Sequence, residues 1–154
     1  PGARAVPALV ATAALALVAC GGGATSKKDV IARANAICAD AVRDIRATPA
    51  PAGGQISLPA LATYLRQVLP TVKKEVASLR ALPRPTQNRA LLNSYLAAVA
   101  ASGSDYEALA KAAARGDRAG VSQALEALQT NPDESLARRY GLAQCAGSTG
   151  TSVS

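Results

Sequence analysis

The chain has 154 residues, enough for one domain, and 37 of them are alanine, with four tyrosines and no Phe, Trp, Met or His. Alanine is the best helix former and long β-branched or aromatic runs are missing, so the composition points to an all-α fold with a core of Leu, Val, Ile and Ala. The formal charge of +7 leaves anionic surfaces open as partners, whereas the missing histidine excludes Ser–His and Cys–His nucleophile pairs and His-ligated metals.

Residues 5–19 are an uncharged run, too short to span a bilayer and of the length of a signal-peptide core. It ends in Leu17-Val18-Ala19-Cys20, followed by three glycines. The tetrapeptide resembles the bacterial lipobox. That resemblance implies cleavage before Cys20, with residues 1–19 as a lipoprotein signal peptide, and diacylglycerol on the Cys20 thiol. Residues 20–26 then form the lipidated end and a flexible tether, whose six residues after Cys20 reach about 20 Å at most. The first two residues after the tether, Lys27 and Lys28, fall near the anionic lipid surface and read equally as lipid-facing charges or as ordinary first-turn residues.

A helical domain is expected over 27–146. Its first helix should span 27–48, with Ser26 as N-cap, Asp29 in the first turn and an apolar stripe through Val30, Ala34, Ile37, Cys38 and Ala41. The Pro- and Gly-rich stretch 49–54 is a loop. A second helix should run over 58–81, capped by Ser57, with Pro59 in its first turn and a kink at Pro70, which leaves the Leu61-to-Leu79 stripe in phase. Pro83-Arg84-Pro85 closes it. The third helix is expected over 87–115, with Thr86 as N-cap and Gly116 at its end. The fourth begins after Asp117, and Asn131-Pro132 leaves it either one kinked helix or two. Gly141-Leu142 has the pattern of a Schellman ending, and residues 147–154 read as a disordered tail. Four amphipathic segments joined by short loops predict an up-down-up-down four-helix bundle with kinked helices.

Three cysteines are present. Lipidation of Cys20 leaves Cys38 and Cys145 as a pair in an oxidising compartment. In an antiparallel bundle the end of helix 4 lies beside the start of helix 1. After Gly141 the chain can run back far enough for the two thiols to meet, so a Cys38–Cys145 disulfide is expected.

A paired-carboxylate hydrolase would need inward-facing acids across a cleft. Asp40 with Asp44, and Asp133 with Glu134, read instead as solvated or helix-start residues. Asp29–Arg33, Glu107–Lys111 and Glu134–Arg138 are spaced as i,i+4 ion pairs. The basic pairs Lys73-Lys74 and Arg138-Arg139 lack the interleaved aromatics that stack on bases, so nucleic acid is not expected.

Two stretches carry a wider likeness, Asp29-Val30-Ile31-Ala32-Arg33-Ala34-Asn35-Ala36-Ile37-Cys38 and Ala137-Arg138-Arg139-Tyr140-Gly141-Leu142-Ala143-Gln144-Cys145. Together they resemble small secreted proteins and lipoproteins of high-GC Gram-positive bacteria. The resemblance covers roughly 27–146 and implies export and a helical domain closed by a cysteine pair, but no activity. The expectation is therefore a non-enzymatic binding module without a cofactor or metal, held by lipid at the outer face of the cytoplasmic membrane. Its partner would be an envelope protein or anionic lipid. The alternative is a small-ligand or lipid carrier with a cavity between helices 2 and 3 near Pro70 and Gly103.

Overall fold

The computed structural model describes residues 25–51 and 56–147. The expected signal peptide, Cys20, the tether as far as residue 24 and the tail from residue 148 lie outside the described residues. Five α-helices follow in order: α1 (Lys27–Arg46), α2 (Leu58–Arg80), α3 (Arg89–Ala114), α4 (Arg118–Thr130) and α5 (Asp133–Tyr140), then a 3-10 turn over Cys145–Gly147. No strand occurs among the described residues.

Local chemistry accounts for most of the helix ends. Ser26 and Asp29 form a capping box on α1: Ser26 Oγ accepts the Asp29 N–H at 3.2 Å and Asp29 Oδ2 accepts the Ser26 N–H at 3.3 Å. Ser57 Oγ accepts the Ala60 N–H at 3.3 Å, and α2 then runs unbroken through Pro70, which lies on an exposed face. Gly116 closes α3 in the left-handed region, φ 70°, and the Asp117 N–H reaches back to the Ala112 carbonyl at 2.9 Å. Asp117 then caps α4 through its Oδ1, which accepts the Gly120 N–H at 2.9 Å.

One boundary differs from expectation, and one that the sequence left open is decided. α3 starts at Arg89 rather than beside Thr86, because Pro85 is buried and the chain turns once more through Asn88, φ 56°. Asparagine is among the residues that tolerate that conformation. The fourth segment is two helices. Asn131 makes the break and ties it down: its Oδ1 accepts the Asp133 N–H at 3.0 Å, and its Nδ2 donates to the Ala98 carbonyl of α3 at 3.1 Å.

α3 is the element that the others share. It packs against α2, α4 and α5, while α1 packs on α2 and on the 3-10 turn. Two apolar cores result. One joins Val30, Ala34 and Cys38 of α1 to Leu79, Leu92, Tyr95 and the chain from Ala137 to Cys145. The other joins Leu65 and Val68 of α2 to Leu109, Val121 and Ala124. Gly103 sits where α2 and α3 approach closely: a Cβ there would lie 3.0 Å from Val76 Cγ2. Among the described residues no helix is long and apolar enough to cross a membrane.

Candidate functional site

The first notable corner is the closure of the chain. Gly141, φ 100°, ends α5 with the paired bonds of a Schellman motif, Gly141 N–H to the Arg138 carbonyl and Leu142 N–H to the Ala137 carbonyl at 2.9 Å. Leu142 is fully buried beside α1, and the Gln144 N–H donates to Asn35 Oδ1 at 3.0 Å. Asn35 thus guides the returning chain one turn short of Cys38. Cys38 and Cys145 form a disulfide with a Cα–Cα distance of 5.1 Å, joining positions 107 residues apart. The Tyr95 hydroxyl lies 3.9 Å from Cys38 Sγ.

Beside that disulfide the helices enclose acidic groups. Asp133 is the helix-start residue expected, since it begins α5, but at 5% exposed it is not solvated. Its burial has a local cause, because the Asn131 tie draws the α4–α5 break onto α3. There Ser102 Oγ, itself buried, donates to Asp133 Oδ2 at 2.9 Å, while the Glu134 N–H donates to Oδ1 at 2.7 Å. Burial raises the Asp133 carboxyl above its ordinary range, and these two hydrogen bonds pull the other way.

Glu75 of α2 faces the same place. It makes no hydrogen bond or ion pair among the described residues, and it is half-buried. Burial first, and the neighbouring Asp133 charge second, push its carboxyl up to about 7. Burial and these same two carboxylates also raise the Tyr95 and Tyr106 phenols. Glu75, Asp133, Ser102 and Tyr95 line a cavity of about 30 Å³ next to Gly103. On its other side Glu75 borders a recess of about 140 Å³ between α1 and α2, shared with Asp40, Asp44 and Lys74.

The arrangement can store a proton near neutral pH. Two carboxylates held together in a poorly solvated place do not both ionise readily. It offers little space for a substrate, because about 30 Å³ is the room of roughly one water. The same tight packing is what stands at the position expected for a carrier cavity near Gly103. Among the described residues no group of three or more Cys, Asp or Glu side chains is placed to hold a metal ion.

A more open concavity lies along α2 and α3, an apolar-floored groove of about 500 Å³. Its floor includes Leu69 and Ala110, and its rim carries Arg66, Lys73, Lys111 and Glu107. Glu107 bridges the two lysines, at 3.1 Å from Lys73 and 4.0 Å from Lys111. The groove is therefore net positive.

Of the acids and bases singled out in the sequence, Asp40 and Asp44 stay exposed and both pair with Arg43. Glu134–Arg138 forms at 3.3 Å. Asp29 turns to Ser26 instead of pairing with Arg33, and that hydrogen bond lowers its carboxyl below the ordinary range. Lys27 lies over the Tyr140 ring, 4.9 Å from its centroid. Sequence reasoning did not single out Glu75, Ser102 or Asn35. The one available signal for Glu75 was its place between the stripe positions Val72 and Val76, next to the α2 apolar face.

Comparison of the chain with protein-family models, with curated proteins and with solved structures returned no match, so the reading of its function rests on the residues themselves.

Proposed function

We propose that this chain is an exported lipoprotein, held at the outer face of the cytoplasmic membrane by lipid on Cys20, whose helical domain is a non-enzymatic binding module. The observation that carries the reading is the uncharged run 5–19 ending in Leu17-Val18-Ala19-Cys20, seven residues before α1 begins. The Cys38–Cys145 disulfide supports it, since such bonds persist in exported proteins. The architecture is read as an up-down-up-down four-helix bundle, α4 and α5 together supplying the fourth helix, with kinks at Pro70 and Pro132. Contacts of α2 with α1 and α3, and of α3 with α4, fit that order.

The binding surface proposed for the domain is the α2–α3 groove, and its occupant an acidic segment of another envelope protein. Arg66, Lys73 and Lys111 outnumber Glu107 around an apolar floor, which suits a chain that offers carboxylates beside small apolar side chains.

Replacing Cys20 by Ala and fractionating cells tests the anchor. The parent should be recovered with the membrane and the variant released, and a variant as membrane-bound and as processed as the parent would refute it. A photo-crosslinker at Ala110 tests the groove. Capture of an acidic envelope protein should be lost in Arg66→Glu, and capture unaffected by that charge reversal would refute the site.

A further inference from the structure

The geometry points to a second membrane contact besides the lipid: the end of the domain where α1 starts is a basic face that lies against anionic phospholipid headgroups. This rests on the tethered-lipoprotein reading above.

Four chain segments meet at that end. Lys27 covers the Tyr140 ring, and a Cβ on Gly141 would lie 3.4 Å from Ile31 Cδ1, so the end of α5 stands beside the start of α1. Leu79 in the last turn of α2, Leu82 just after it and Leu92 near the start of α3 share one core with Val30 and Ala34. The segments that meet there carry Lys27, Lys28, Arg80, Arg84, Arg89 and Arg139; Arg84 donates to the Leu82 and Arg80 carbonyls and Arg89 to the Arg84 carbonyl. None of the six forms an ion pair with a carboxylate among the described residues, and all but Lys27 and Arg84 are exposed.

The asymmetry extends over the domain. When each long helix is cut at its middle, residues 27–36, 70–101 and 133–147 make up the half built on the first core. That half carries ten basic and four acidic side chains. The other half, residues 37–51, 56–69 and 102–132, carries six of each. Half of its basic groups pair within it, Arg43 with Asp40, Lys111 with Glu107 and Arg115 with Asp117, and Glu107 also reaches Lys73 of the first half at 3.1 Å. A surface charged only for solubility has no reason to put its whole excess at one end.

That end is the one tied to the bilayer. Lys27 lies seven positions after Cys20, a reach of about 25 Å at most. Headgroup potential decays over about 8 Å at physiological salt, so within its tether the domain can rest its basic end inside the field. Each basic side chain near an anionic surface changes partitioning by roughly fivefold, so four acting together amount to several hundredfold. The contact would also orient the domain, turning the α2–α3 groove sideways to the membrane rather than into it.

The test uses the mature chain, residues 20–154, carrying Cys20→Ser so that no lipid is attached, and vesicles of phosphatidylcholine with and without phosphatidylglycerol. One variant adds Lys28→Gln, Arg80→Gln, Arg89→Gln and Arg139→Gln. A second adds Arg46→Gln, Arg66→Gln, Arg115→Gln and Arg118→Gln, with the same change of net charge. All eight side chains are exposed, and circular dichroism checks that both variants keep their helix content. The parent should prefer the anionic vesicles by on the order of a hundredfold or more at physiological salt, and lose that preference at high salt. The first variant should lose most of the preference and the second less than about tenfold. Equal losses in the two variants would overturn the proposal. So would a parent without preference for anionic lipid, which would direct attention to a protein or polymer partner. The mass of the wild-type protein recovered from cells reports on lipid at Cys20 separately, so failure of the anchor and failure of the basic face give different results.

Discussion

Replacing Glu75 by Gln should stabilise the domain at alkaline pH and leave it nearly unchanged in acid. The Glu75 carboxyl stands at about 7 in the folded protein against an ordinary 4.5. The folded state therefore holds the proton more tightly than the unfolded chain. Below about pH 4.5 the group is neutral in both states and burial carries little penalty. As the pH rises from 4.5 through 7 the unfolded chain ionises first, and the folded protein loses stability. The whole difference corresponds to about 3 kcal/mol, an upper figure because part of the side chain reaches water through the α1–α2 recess. Burial and the Asp133 charge from α5 set this balance; the neutral Tyr95 phenol of α3 lines the same cavity, and Lys74, Asp40 and Asp44 share the recess on the other side. Urea unfolding at pH 5 and at pH 8, without reductant, reads the effect. The parent should be less stable at pH 8 than at pH 5. Glu75→Gln should remove most of that difference, gaining about 2–3 kcal/mol at pH 8. A parent equally stable at both pH values, with a variant that changes neither, would refute the account of the buried pair.

Three further outcomes follow from the same structure. Reducing the Cys38–Cys145 bond, or replacing Cys38 by Ser, should cost about 4–5 kcal/mol by loop-closure entropy across the 107-residue separation. Melting with and without reductant measures it, and alkylation of two free thiols in the unreduced, denatured protein would show that no bond existed. Ser102→Ala removes the donor to buried Asp133 and should cost about 1–3 kcal/mol in urea unfolding; an unchanged stability would contradict the pairing. Gly141→Ala forces a side chain into φ 100° and should cost about 1–2 kcal/mol, read as a lower melting temperature. An unchanged melting temperature would mean that the Schellman turn does not hold the returning chain.

How much of this was legible beforehand varies with the range of the interaction involved. Ser26, Ser57, Gly116 and Gly141 end helices through bonds to residues a few positions away, and such bonds are written into neighbouring letters of the sequence. The apolar stripes gave the helices for the same reason, and cysteine arithmetic left one pair to join. Thr86 marks the limit even of local reading. The α3 helix starts two residues later, after Asn88, which sits in the left-handed region and makes no side-chain cap.

The acidic pair belongs wholly to the tertiary structure. Asp133 and Glu75 lie 58 positions apart, each in a stretch that reads as the polar margin of a helix. Asn131 binding Ala98, and Ser102 binding Asp133, decide that one of them is enclosed, and the close approach at Gly103 brings α2 and its Glu75 alongside. The basic end has the same origin. Sequence alone determined the size of the charge excess, while the meeting of four chain segments decided that it gathers at one end. Composition sums charges without regard to position, whereas a surface potential depends on which of them the fold sets side by side.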